Sequence, residues 1–333
     1  MDDNSGPSAM DTLSQIFPPK PNFTEKDLPD LHGKVYLITG ANTGVGKELA
    51  QMLYSKHAKI YIAARSEAKA AAAIEDLKKA EPTSEGELVF MKLDLADLTT
   101  IKASVEEFLG KEKQLHVLFN NAGVMKPDPA NAKTAQGYEL QLGVNNVGTF
   151  MFTKLLTPIL AATAKTEAPG VVRVVWVGSS AGDIGAPKEI VPLDNLDYHK
   201  DLSWLQKYAI SKAGNYLHGS EFARRHKADG VVSVTLNPGN LDSELWRNQP
   251  WLIAKFLKLF ILHPSINGAY TELFAGLSPE VTMEKTGAWI VAFGRFMRIR
   301  KDVKNAAKPK AEGGTGLAEE FWAWTEEQIR PFV

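Results

Sequence analysis

Cysteine is absent from this 333-residue chain. That removes disulfide staples, thiolate nucleophiles and thiolate metal sites together, and it fits a reducing compartment. Net charge is equally lacking. The 39 acidic and 38 basic side chains leave −1, so no global field selects nucleic acid or an anionic bilayer as the main partner. Histidine is scarce: His32, His57, His116, His199, His218, His226 and His263 show no H-x-x-x-H spacing, and no metal site is expected. No uninterrupted apolar run reaches the roughly 20 residues of a membrane-spanning helix. The N-terminal stretch opens with acids and carries Pro7, Pro18, Pro19, Pro21 and Pro29, the wrong chemistry for a secretory leader. These absences predict a soluble cytoplasmic protein whose ligand is small and neutral or apolar.

What the chain has is alternation. The runs 35–39 (VYLIT), 59–64 (KIYIAA), 87–93 (ELVFMKL), 115–120 (LHVLFN), 171–177 (VVRVVWV) and 231–237 (VVSVTLN) are apolar on both faces, as buried parallel strands are. Between them, 45–56, 66–80, 98–110, 138–164 and 204–226 are long enough for crossover helices. A seventh strand is expected at 287–293, after an apolar helix at about 265–277. This predicts an α/β fold: a Rossmann-type doubly wound parallel sheet of about seven strands with helices on both faces. Residues 1–33 read as a Pro-rich extension and 34–333 as a single domain. Within it, 304–316 has a loop composition and about 316–330 a terminal helix whose Phe321, Trp322 and Trp324 must dock on something.

The stretch TGANTGVG, residues 39–46, follows the first strand and opens a helix. Gly40 permits a tight turn, Gly44 lets the backbone approach a phosphate, and Gly46 lets the helix pack close to the sheet. A glycine run alone also fits a flexible loop. Its place between strand and helix favours a nucleotide.

The spacing G-x-x-x-G-x-G resembles the cofactor turn of the short-chain dehydrogenase/reductase family. Further motifs of that family follow in order: LDL with Asp94, NNAG at 120–123, VNNVG with Asn145, GSSAG with Ser179, YAISK at 208–212 and NPG at 237–239. The resemblance covers roughly residues 34–300. It is nearest to the retinol-dehydrogenase-like and WW-domain-oxidoreductase-like branch, without a WW domain. It implies cofactor contacts from Gly40, Asn42, Thr43, Gly44, Val45, Gly46, Asp94, Leu95, Asn121, Ala122, Gly123, Tyr208, Lys212, Pro238, Gly239, Leu241 and Ser243. At the end of the second strand, where the family selects its cofactor, stands Arg65. Its planar charged fork suits a 2′-phosphate, and NADP(H) is expected; the duller reading is a solvated residue beside a capping Ser66. Lys47 assists there or faces solvent.

Tyr208 and Lys212 stand four apart, on one face of a helix. A free tyrosine has a pKa near 10; a neighbouring ammonium and an oxidised nicotinamide would each lower it. The resemblance implies that Tyr208 donates a proton to a carbonyl, Ser179 binds that oxygen, Lys212 tunes Tyr208 and holds the cofactor ribose, and Asn145 holds a water behind Lys212. Ser180 and Asn146 are the adjacent rivals. Two departures stand out: the long Ser179-to-Tyr208 interval, filled by residues 183–206, and the paired asparagines.

A lid segment at about 240–264 is rich in Trp246, Trp251, Leu252, Ile253, Phe256, Leu257 and Phe260. Lid over a bulky apolar substrate, core helix and interfacial membrane helix all remain open for it. The expected activity is interconversion of a bulky ketone or aldehyde with its alcohol, on a retinoid-, steroid- or secondary-metabolite-like substrate. The alternative is an NADP(H)-binding protein with a non-redox role, such as a cyclase, isomerase or redox-sensing scaffold. In many members of the family, helices like 138–164 and 204–226 form a homodimer interface, so the resemblance implies either a homodimer of this chain through them or an interface covered by its added N-terminal and C-terminal segments.

Overall fold

The computed structural model describes residues 6–125, 129, 131–242 and 262–333. Eight strands form one sheet: β1 (Val35–Thr39), β2 (Lys59–Ala64), β3 (Glu87–Lys92), β4 (Val117–Asn120), β5 (Arg173–Val177), β6 (Val232–Leu236), β7 (Trp289–Val291) and β8 (Arg295–Met297). Their order is β3-β2-β1-β4-β5-β6-β7-β8. Pairing is parallel through β7, and β8 returns antiparallel, Ile290 opposite Phe296. The expected seven strands are therefore joined by an eighth. At three residues it is too short to carry a periodic signal. Every residue of β1, β5 and β6 is buried, which is why these stretches are apolar throughout.

The helices are α1 (Ala9–Ile16), α2 (Gly44–Tyr54), α3 (Glu67–Ala80), α4 (Leu98–Lys111), α5 (Leu140–Leu142), α6 (Thr149–Ala164), α7 (Ser180–Ile184), α8 (Trp204–His226), α9 (Ser265–Leu277), α10 (Lys301–Ala307) and α11 (Leu317–Ile329). One face of the sheet packs α2, α3 and α9 around Leu49, Leu53, Ile74 and Phe274. The other packs α4, α6 and α8 around Phe108, Phe150, Trp176 and Phe222. The chain crosses from β3 back to the far side of β1, so the loops after β1 and β4 diverge. That opens a crevice at the carboxyl edge of the sheet.

The helix expected at 138–164 is divided: α5 runs through a π-helical stretch, Gly143–Gly148, into α6. As a unit, Leu140–Ala164 is long and apolar enough to cross a bilayer, yet 61% of its apolar window is buried inside the protein. Its composition is that of a core helix. The loop expected at 304–316 starts inside α10, because Val303 and Ala306 are buried, and is looped only around Pro309, Gly313, Gly314 and Gly316.

The terminal helix docks on α8. The Phe321 ring stacks on His218 at 4.5 Å, His218 Nε2 pairs with Thr325 Oγ1 at 3.0 Å, and the Arg225 guanidinium lies 4.8 Å from the Trp322 ring centre. Burying a side chain such as Phe321 stabilises by about 2 to 3 kcal/mol. One face of α8 is thus packed by the chain's own C-terminal helix.

Candidate active site

The turn between β1 and α2 is shaped to receive a phosphate. Gly40 and Gly44 take φ of 71° and 54°, the left-handed region that glycine alone enters freely. A Cβ on Gly46 would stand 2.6 Å from Asn121 Nδ2, so the helix can approach β4 only without a side chain there. Asn121 Nδ2 in turn donates to Thr39 O at 2.7 Å, and Ala122 N donates to Thr39 Oγ1 at 2.9 Å. These bonds lock the ends of β1 and β4 together. At the start of α2 the cap residue Thr43 makes no side-chain cap bond, which leaves the first amides of an eleven-residue helix to meet an anion. Asn42 and Val45 belong to the same turn. The residues present fit a dinucleotide.

The other expected cofactor positions line the same edge. Arg65 is exposed at the end of β2, and Ser66 caps α3 by accepting from Lys69 N at 3.4 Å. Asp94 Oδ1 accepts from Ala96 N at 2.9 Å, beside a buried Leu95. Lys47 reaches sideways to Asp76 at 2.7 Å. After β6, Gly239 has φ of 99° and donates its N–H to Asn237 Oδ1 at 3.1 Å, with Pro238 between them and Leu241 buried beyond. Ser243 and most of the segment 240–264 lie outside the described residues.

Ser179, Tyr208, Lys212 and Asn145 are brought together at the ends of β4 and β5. Ser179 caps α7, its Oγ accepting from Ala181 N at 3.1 Å; a hydroxyl that accepts there keeps its own proton free to donate. Ser180 is the first helical residue. A Cβ on Gly182 would stand 2.6 Å from the Lys212 carbonyl carbon, so the glycine of GSSAG lets α7 rest directly on the backbone of α8. Lys212 Nζ donates to Val177 O at 2.8 Å and lies 5.8 Å from the centre of the Tyr208 ring.

The two asparagines separate clearly. Asn145, in the π-helical stretch, accepts from Val124 N at 2.8 Å and donates to Val124 O at 3.0 Å and Ser211 Oγ at 2.9 Å. A Cβ on Gly123 would stand 3.2 Å from Lys212 Nζ and 3.3 Å from Asn145 Oδ1, so the ammonium and the amide flank one glycine. Asn146 instead ties the π-helical stretch to α8, donating to Ser211 O at 2.8 Å and Asn215 Oδ1 at 2.9 Å. The π-turn, a common feature of functional sites, points successive asparagines at different atoms: Asn145 at Val124 and the Ser211 hydroxyl, Asn146 at the Ser211 carbonyl and Asn215.

Burial dominates the electrostatics. It pushes the Tyr208 hydroxyl up to about 12, with a hydrogen bond to Ser179 opposing. It pulls Lys212 down to about 8, with a carboxylate opposing. That carboxylate, Glu272 on α9, was not among the expected site residues. It has no exposed surface, and neither oxygen has a hydrogen-bond partner among the described residues. Burial raises it to about 8, against the attraction of Lys212. Its signal in the sequence was a lone acid inside the apolar run YTELFAG. Asp183 and Asn237, also buried, support the loops carrying Ser179 and Gly239.

Comparison with known proteins agrees with this geometry. Residues 34–191 match the short chain dehydrogenase family. The chain is 57% identical over 330 residues to a short-chain dehydrogenase/reductase of Phomopsis amygdali, covering 98% of each. It is 50% identical over 323 residues to the short-chain dehydrogenase/reductase bet4 of Neocamarosporium betae, covering 96% of this chain and 93% of that one. Among solved structures, a Mycobacterium Paratuberculosis protein superposes with TM-score 0.65 at 26% identity, covering 92% of this chain and 97% of that one. The 3-ketoacyl-(acyl-carrier-protein) reductase of Brucella melitensis, complexed with NADH, superposes with TM-score 0.60 at 22% identity, covering 79% and 98%. The chain belongs to the short-chain dehydrogenase/reductase family. It is an oxidoreductase with the Rossmann-type fold and the nicotinamide-cofactor turn of that class.

Proposed function

We propose that the protein is an NADP(H)-dependent oxidoreductase that interconverts a bulky apolar ketone or aldehyde with its alcohol. The observation that carries this reading is the convergence of four side chains at the same sheet edge as the Gly40–Gly46 turn: Lys212 and Asn145 flank Gly123, Lys212 Nζ lies 5.8 Å from the Tyr208 ring centre, and Tyr208 is hydrogen-bonded to Ser179. When bound, the cofactor supplies the hydride. Tyr208 holds the proton at its Oη, kept on the oxygen by burial until a carbonyl oxygen develops charge beside it. Ser179 Oγ donates to that same oxygen and fixes its position. Lys212 stands behind the tyrosine ring as a cation held by Val177 O, and Asn145, across Gly123 from it, holds a water that links Lys212 to solvent. Proton transfer from a positioned acid contributes about 10² to 10⁴ in rate.

Arg65, exposed at the end of β2, supports NADP(H) over NADH through its fork for a 2′-phosphate. The apolar character of the substrate rests on the composition of residues 246–260, which lie outside the described ones. A cytoplasmic location and a place in secondary metabolism complete the reading. The test is NADPH oxidation against a panel of bulky ketones and aldehydes. Turnover that disappears in Tyr208→Phe supports the proposal; tight NADPH binding without turnover of any carbonyl would favour a non-redox role.

A further inference from the structure

The N-terminal extension precedes the matched family region, residues 34–191, and its helix α1 is built inside out. Its only buried residue is Gln15, 2% exposed, while Met10, Leu13 and the following Phe17 are 75%, 51% and 60% exposed. An eight-residue helix is marginal on its own, and one that exposes its large apolar side chains gains little from the hydrophobic effect. Polar bonds hold it instead, and they lead to the site.

Gln15 spans two loops. Its Nε2 donates to Asp183 Oδ2 at 3.4 Å, and its Oε1 accepts from Asn237 Nδ2 at 3.0 Å. Asp183 lies in α7, four residues after Ser179, and its other oxygen accepts from Arg300 N at 2.9 Å. Asn237 fixes the Gly239 turn through its own side-chain oxygen. On either side of Gln15, Ser14 O accepts from Arg295 at 2.9 Å, and Ile16 O lies 3.4 Å from His263 Nε2. His263 is itself paired along the backbone with Asn240 and Asp242, at 2.8 Å each. These tie points belong to the loops after β5 and β6, to the residues where the chain returns before α9, and to the β7–β8 hairpin.

We propose that α1 is a wall of the substrate side of the site and that Gln15 is a positioning residue, setting the spacing between the Ser179 turn and the Asn237–Gly239 turn. This rests on the carbonyl-reducing function proposed above. A bulky substrate must fit between those two turns, so its turnover depends on their separation. A small carbonyl depends on that separation much less, and the cofactor, for which the Gly239 turn is one of several expected contacts beside the Gly40–Gly46 turn and Lys212, keeps most of its partners when the turn shifts. An error of about 1 Å in such spacing can cost on the order of 10²-fold in rate.

The test uses the full chain as wild type, Gln15→Ala and the isosteric Gln15→Glu, which sets a carboxylate against Asp183. NADPH affinity, thermal midpoint and kcat/KM are measured for a bulky aromatic diketone, phenanthrenequinone, and for a small one, butane-2,3-dione. Amide hydrogen exchange is followed at 180–185, at 237–241 and, as control, along α2. In both variants kcat/KM for the bulky diketone should fall about tenfold or more, through kcat more than KM, while that for the small one moves less than about threefold. NADPH affinity should fall by less than about threefold, well short of the loss with the bulky diketone, and exchange should quicken in the two loops but not in α2. Equal losses with both carbonyls, or no change in either kcat/KM or loop exchange, overturn the inference. If the wild type reduces neither diketone, the proposed function is what fails; the exchange rates at 180–185 and 237–241 then decide the positioning role, and unchanged rates reject it.

Discussion

Glu272 offers the sharpest quantitative test of the site. Its carboxyl is fully buried beside the electrostatic field of Lys212 and is raised from an ordinary 4.5 to about 8, first by burial. A carboxyl raised on folding contributes stability that is complete below its unfolded pKa and is lost as pH climbs toward the folded one. Each pH unit in that window costs about 1.4 kcal/mol. Between pH 5 and 7 the wild type should therefore lose roughly 2 to 3 kcal/mol that Glu272→Gln, the same shape without a proton to lose, retains. With an unfolding entropy of about 2.1 cal/mol/K per residue, this is a shift of about 3 to 4 °C in the relative midpoints. The assay is denaturant or thermal unfolding of both proteins at pH 5, 6 and 7, a range in which Lys212, lowered to about 8, stays charged in the wild type. A stability gap that does not change from pH 5 to 7 would show that Glu272 is already ionised as a partner of Lys212, and would refute the assignment.

Other outcomes follow from the same geometry. Arg65→Asp should reverse the preference between NADPH and NADH in kcat/KM; an unchanged ratio would remove Arg65 from cofactor selection. Gly182→Ala would set a methyl 2.6 Å from the α8 backbone at Lys212, so it should cost about 1 to 3 kcal/mol by overpacking and lower kcat more than NADPH affinity. Phe321→Ala, removing a fully buried ring from the α8 face, should destabilise by about 3 to 5 kcal/mol in urea unfolding. Light scattering should give a mass near the 36.5 kDa of one chain, since α11 already occupies the α8 face; a dimer that survives intact α11 would contradict this.

The sheet was legible because its central strands are buried on both sides, so that VYLIT, RVVWV and VSVTL carry the same signal wherever they lie. The motif residues were legible because their spacing is dictated by close approach: Gly46 against Asn121 and Gly182 against Lys212 have no room for a side chain. What escaped notice depends on partners distant in sequence. Gln15 is a polar residue in a Pro-rich stretch until it meets Asp183 and Asn237, more than 150 residues away. Glu272 reads as one acid in an apolar helix until α9 packs on the sheet face and brings it into the field of Lys212. The depth at which Tyr208 is buried, which raises its hydroxyl in the protein without cofactor, was likewise invisible, since spacing reports the nearby ammonium alone. β8 and the helical start of 301–307 were missed for a simpler reason, their brevity.

The docking of α11 on α8 bears on how the catalyst behaves in dilute solution. Where a tyrosine-bearing helix is braced by a second subunit, the brace is lost below the dissociation constant and activity per molecule falls with it. Here the brace is covalently attached, and its effective concentration does not change with that of the protein. Specific activity should hold from micromolar to nanomolar enzyme, and fusions or crowding at that helix face should leave turnover untouched so long as the last turn of the chain stays seated.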